Sequence, residues 1–227
     1  MIYLVRHGQS TANAGGMTME HAQIPLSDLG RAQAAMLAQL LEVDPVLVLT
    51  SSYLRARETA KPFCDKTGCV AAEHPLLHEF SALDPALIDG MSGAERRPIA
   101  DAYWQEADPG ARHGAGSETF VEFDDRVTAF MGEMPGLPSD TVLFGHGIWF
   151  GLLFWKLLGF SAEGSAGMRA FRKFQQGLPM PNCAVYTVEQ LSPGKWQLKG
   201  EEAIARRIAT RPSRSLGRGE AAPSKPH

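Results

Sequence analysis

The chain has 227 residues, 44% hydrophobic, 21% charged and 8% aromatic. This composition supports a globular fold with a sizeable core and excludes collagen, coiled coil and wholesale disorder. The net charge of −3 divides unevenly: residues 1–202 carry 16 Lys+Arg against 24 Asp+Glu, a balance of −8, while residues 203–227 balance at +5. A body that acidic is a poor candidate for nucleic-acid binding, which draws its affinity from phosphate neutralisation.

In chain order, Ile2 to Val5 is an apolar, β-branched run that stops at Arg6-His7-Gly8 and reads as a strand. Arg6 interrupts it too early for a signal-peptide core, so a cytoplasmic protein is expected. Ser27 is placed to cap a helix whose apolar residues, Leu29, Met36, Leu37, Leu40 and Leu41, recur at helical spacing. Val46 to Thr50 reads as a second strand, and Ser51 or Ser52 is placed to cap a helix over Leu54 to Phe63. Cys64, Cys69 and Cys183 lack zinc-site spacing and read as reduced, buried thiols. The stretch 79–137 is rich in Gly, Pro and charge, with amphipathic segments at Ile99–Trp104 and Phe120–Met131. It reads as an insertion over the strand ends.

Thr141 to Phe144 is a third apolar run, stopping at Gly145-His146-Gly147. Ile148 to Leu158, apolar nearly all round and closed by Gly159, reads as a helix buried in the core, with a homodimer contact as the second choice. Extended to Phe160 it is 13 residues long and contains Lys156, against about 20 for a membrane span. Cys183 to Val188 reads as a further strand. Beyond Ala203 the residues turn to Arg, Ser, Pro and Gly, and the basic tail 203–227 reads as a solvated extension of a domain spanning 1–202. Continuously apolar strands alternating with helices predict an α/β fold with a buried, mostly parallel sheet. Ligands in such folds sit beyond the carboxyl ends of the strands.

That edge would gather Arg6 and His7 after the first strand, Arg55 on the first turn after the second, and His146 after the third. Two guanidiniums and two imidazoles suit a phosphate dianion. Arginine donates two parallel hydrogen bonds and stays charged, and a neutral imidazole is available near pH 7 as a nucleophile. Any one of these residues alone is more often structural. His74 and His78 lack further ligands for a metal. Arg96, Arg97 and Arg112 read as solvated, or as one contact to a second anion of a substrate.

The motifs Leu4-Val5-Arg6-His7-Gly8-Gln9-Ser10 with Asn13, Pro25-Leu26-Ser27-Asp28-Leu29-Gly30 with Gln33, and Ser51-Ser52-Tyr53-Leu54-Arg55-Ala56-Arg57-Glu58-Thr59-Ala60 lead the pattern. Gly116-Ser117-Glu118 with Arg126, Gly145-His146-Gly147, and Pro181-Asn182-Cys183-Ala184-Val185 complete it. In order and spacing the chain resembles the histidine phosphatase superfamily, which includes cofactor-dependent phosphoglycerate mutases and their phosphatase relatives. The resemblance implies a three-layer α/β/α sandwich with His7 as nucleophile, and Arg6, Arg55 and His146 holding the phosphoryl oxygens. Asn13 and Gly147 fall at phosphate- or substrate-binding positions, and neither metal nor cofactor is implied. The family's acid falls at Glu79, in Leu77-His78-Glu79. The aromatic-glycine motif usual after it is replaced by Phe80-Ser81-Ala82-Leu83-Asp84-Pro85, which leaves Asp84 and Asp89 as alternatives.

Three functions fit these residues. The first is a phosphomonoesterase acting on a small phosphorylated metabolite. The second is a phosphomutase, for which the tryptophan usual before the first asparagine is missing, since Ala12 precedes Asn13. The third is a noncatalytic scaffold, which predicts loss of one of Arg6, His7, Arg55 or His146, and all four are present.

Overall fold

Alternate residues of the apolar runs go to opposite faces of one sheet. Ile2, Leu4, Leu49 and Leu143 pack into one core, while Val5, Val48, Val142 and Phe144 pack into a second core on the other side. The computed structural model describes residues 1–210. Its six-stranded sheet runs β3-β2-β4-β1-β5-β6, with β1 at Ile2–Arg6, β2 at Leu47–Thr50, β3 at Ala71–Glu73, β4 at Thr141–Gly145, β5 at Val185–Ser192 and β6 at Lys195–Gly200. Strands β1 to β4 are parallel, and β5 and β6 are antiparallel to their neighbours. Among the described residues the seven α-helices are α1 (Asp28–Leu40), α2 (Leu54–Thr67), α3 (Gly93–Glu106), α4 (Phe120–Glu133), α5 (Gly147–Leu157), α6 (Gly164–Gly177) and α7 (Glu202–Ala209). The fold is the expected α/β class. Among the described residues no helix is long and apolar enough to cross a membrane.

One face is covered by α1, α2 and α7 through Leu37, Ala38, Ala60, Phe63 and Ile208. The other is covered by α4, α5 and α6 through Phe123, Val127, Phe130, Trp149 to Phe154, Met168 and Phe171. Helix α5 is a core helix, with Trp149, Phe150, Leu152 and Leu153 fully buried. The segment 79–137 divides. Its second amphipathic stretch, α4, shares the core with sheet residues because Phe123, Val127 and Phe130 fall on one helical face. The first part, through α3, brings Arg96 to the cleft described below.

Several local expectations need correction. Residues 203–209 are not a solvated extension: α7 places Ile208 in the core beside Ile204, an apolar pair at helical spacing within a basic segment. The remainder of the tail, 211–227, lies outside the described residues. Ser51 does not cap α2. Its hydroxyl accepts from Tyr53 N at 3.2 Å and meets His146. Only Cys183 is a fully buried thiol, its pKa pushed up to about 12 by burial, while Cys64 and Cys69 are half-buried. Strands β3 and β6 carry few buried apolar residues and gave no apolar run to read.

Ser27 caps α1 as expected, accepting from Gly30 N at 3.0 Å. Gly30 also permits a close backbone approach, since a Cβ there would lie 2.0 Å from the carbonyl oxygen of Gln9, and one on Gly8 would lie 2.7 Å from that of Gly30. The turn after β1 therefore rests directly on the α1 backbone. Gly30→Ala is expected to cost on the order of 3 kcal/mol, and also to lower activity by moving the turn that carries His7. Chemical denaturation and an activity assay on the same protein check both.

Candidate active site

The β1–β4 register pairs Arg6 with Gly145, and the β2–β4 register pairs Thr50 with Phe144. His7, Ser51 and His146 are consequently the next residues on three adjacent parallel strands. Backbone bonds carry the alignment one residue further, from His7 N to Gly145 O and from Ser51 N to Phe144 O, both at 3.0 Å. This is why histidines far apart in sequence meet, with ring centroids 5.2 Å apart.

His7 is 4% exposed. Its Nδ1 lies 2.6 Å from Gly8 O, a contact that only an Nδ1–H can make favourably, so the lone pair resides on Nε2. Arg55 Nε donates to that Nε2 at 3.3 Å, and its Nη1 donates to His21 O at 2.8 Å. Gly8 N donates to Thr59 Oγ1, tying the turn to α2. Arg6 is fixed by a bond from Nη1 to Met180 O, while its Nε is buried and unpartnered. Gly147 accommodates that guanidinium, since a Cβ there would lie 3.2 Å from Arg6 Nε.

A cleft of about 440 Å³ is lined by Arg6, His7, Asn13, Arg55, Glu79 and Gly147, together with Arg96, His21 and Tyr53. Six of the seven residues singled out from sequence therefore share one cavity. The seventh, His146, is fully buried and absent from the lining. It stands behind His7, with Nε2 2.8 Å from Ser51 Oγ, Nδ1 unpartnered and the Tyr53 ring at 5.3 Å. Asn13 Oδ1 accepts from Ser10 N and from Asn182 Nδ2, which also donates to His7 O.

Glu79 is held at the N-terminus of α5. Oε1 accepts from Phe80 N and Trp149 N, each at 3.0 Å, and Oε2 from Ile148 N at 3.1 Å. The two alternatives go elsewhere. Asp84 is engaged structurally, accepting from Ala86 N and Gly116 N, bonds that hold its carboxyl below its ordinary pKa. Asp89 is exposed and outside the cleft lining. Of the three insertion arginines read from sequence as solvated or as one contact to a second anion, Arg96 lines the cleft, Arg97 is exposed and Arg112 is bound to Ser117 O and Glu122. The reading from sequence gave Tyr53, His21 and Asn182 no role in the site and offered Ser51 only as a helix cap. Each lies within the motifs or beside them, but none carries a charge that would mark it.

Burial, then the nearby arginines, hold the pKa of His7 and of His146 well below the ordinary 6.5. Both are neutral in the folded protein at neutral pH, whereas in the unfolded chain they gain protons below about 6.5. Unfolding thus takes up protons on acidification. The stability these groups allow is complete above the unfolded pKa and falls with pH from there toward the folded values, by about 1 kcal/mol per pH unit per histidine. His21, lowered to about 4, acts in the same direction. Melting temperature is expected to drop steadily from neutral pH to about pH 5, and a flat profile would contradict the neutral-histidine site.

An α/β/α sandwich that gathers two arginines and two imidazoles at the ends of its parallel strands is suited to holding a phosphoryl group. The model of the histidine phosphatase superfamily (branch 1) matches residues 2–203, and the chain belongs to that family. The probable phosphoglycerate mutase GpmB of Photorhabdus laumondii is 30% identical over 208 residues, covering 88% of each chain. The structure of a mycobacterial glucosyl-3-phosphoglycerate phosphatase complexed with VO3 is 25% identical, with a TM-score of 0.68 over 87% of this chain and 96% of that one. The α-ribazole phosphatase of Shigella flexneri shares the fold at 22% identity, with a TM-score of 0.69 over 88% of this chain and 94% of that one.

Proposed function

We propose that this chain is a metal-independent phosphomonoesterase of the cytoplasm, working through a phosphohistidine at His7 on a small phosphorylated metabolite. The observation that carries the reading is the His7 tautomer: with Nδ1–H on Gly8 O, the free lone pair sits on Nε2, beside Arg55 in a cleft that also holds Arg6. Nε2 attacks phosphorus, the ester P–O bond breaks, and Glu79 gives the leaving oxygen its proton. Glu79 then takes a proton from water, the oxygen attacks phosphorus, and the P–N bond electrons return to Nε2 as inorganic phosphate leaves.

Arg6 and Arg55 supply the charge for the phosphoryl oxygens, with Asn13 and Gly147 beside them. For His146 to hold one of those oxygens, its ring must be reached past His7 and Tyr53. The buried, unpartnered Arg6 Nε and His146 Nδ1 are donors or acceptors that a bound phosphoryl group can satisfy.

A phosphomutase is the second reading, favoured by the name of the GpmB relative. Ala12 before Asn13 weighs against it. Phosphate release from a panel of phosphomonoesters in the presence of EDTA tests the first reading. Release concentrated on one ester class supports it, whereas isomerisation of phosphoglycerate without net release supports the mutase.

A further inference from the structure

Glu79 is anchored at two points. The first is the α5 N-terminus, which takes both carboxylate oxygens. The second lies behind the cleft. Arg126 of α4 donates through Nη1 to the carbonyl of Leu76 at 2.8 Å and to that of His78 at 2.7 Å, the residue immediately before Glu79. Its Nε and Nη2 donate to the two carboxylate oxygens of Glu118, both at 2.8 Å. The two side chains are 9% and 15% exposed.

We propose that the Glu118–Arg126 pair is the positioning device that sets Glu79 for proton transfer, an inference that rests on Glu79 being the acid. Between β3, which ends at Glu73, and Glu79 the chain makes one short turn, Pro75–Leu77. It has no strand partner to fix its carbonyls, and Arg126 supplies that register. Glu118 is itself seated, its N–H donating to Ser81 O at 2.8 Å. Just before it, Gly116 lies against the Asp84 carboxylate, which a Cβ would approach to 2.7 Å. The loop before α4 and the segment carrying the acid are therefore one connected unit. Phe130 of α4 and Trp149 of α5 pack with ring centroids 5.2 Å apart, so the two anchors of Glu79 are fixed relative to each other. A buried ion pair is weak evidence for a stabilising role, since apolar residues of similar volume serve stability as well. A bidentate fork that also pins two carbonyls fixes position.

The test compares turnover of an alkyl and an aryl phosphomonoester by the native chain, Arg126→Met, Arg126→Lys, Glu118→Gln and Glu79→Gln, each assayed below its own melting temperature. A misplaced acid harms the alkyl ester, whose leaving group needs the proton, more than the aryl ester, whose leaving group does not. Arg126→Met is expected to lower alkyl-ester turnover by about 100-fold and aryl-ester turnover by under about tenfold. Arg126→Lys should recover part of the ratio. If Arg126→Met does not fold, Glu118→Gln, which keeps the shape and one acceptor, reads the same ratio. Equal losses on both esters in the Arg126 and Glu118 variants would overturn the proposal. A ratio that changes for Glu79→Gln alone overturns this inference and leaves the acid in place, and a ratio unchanged in all variants removes both.

Discussion

His7→Ala is expected to lower phosphate release by about 10⁴-fold or more, because it removes the atom that forms the bond to phosphorus. The other parts of the cleft survive the change. Arg6 stays bonded to Met180 O, Arg55 to His21 O and Glu79 to the α5 amides. Substrate binding should therefore persist within a few-fold while turnover collapses, a division that a folding defect would not give. Alkaline quenching after labelled substrate should trap phosphoprotein with the native chain and none with the variant. Turnover near the native level in His7→Ala would sink the covalent mechanism, and trapped label in the variant would move the nucleophile to another side chain.

The sheet and most of the site were legible because both depend on short-range pattern. Three apolar runs stop at Arg6-His7, Ser51-Ser52 and Gly145-His146, and parallel pairing of these runs in register is what brings their ends together. The edge strands were not legible, since β6 exposes alternate residues and β3 is three residues long with little buried surface. The position of His146 behind His7, and not on the cleft wall, depends on how Tyr53 and Ser51 pack around it, information that neither spacing nor charge contains. Helix α7 was missed for a related reason: its composition is that of a solvated segment, and two isoleucines at one face are enough to dock it when a core lies adjacent.

Glu79→Gln separates the acid from its alternatives and from a structural role. The substitution is isosteric, yet it changes the local bonding. The carboxylate accepts from Phe80, Ile148 and Trp149 N–H groups through both oxygens, whereas an amide offers one oxygen, and its NH₂ must face at least one of these donors. Some loss on every substrate is therefore expected, and its size is read from an aryl ester, where the leaving group departs without a proton. The loss from missing proton transfer appears on top of it with an alkyl ester, about 10²- to 10⁴-fold. Neither Asp84 nor Asp89 lines the cleft, so neither is placed to take over, whereas Glu79 does line it. Equal losses on the two esters would mean that Glu79 serves only to cap α5 and shape the wall, and the proton would then have to come from solvent. A loss much larger on the alkyl ester than on the aryl ester would identify the carboxyl group as the donor, and would explain why the chain commits a largely buried arginine and a second carboxylate to holding the segment that carries it.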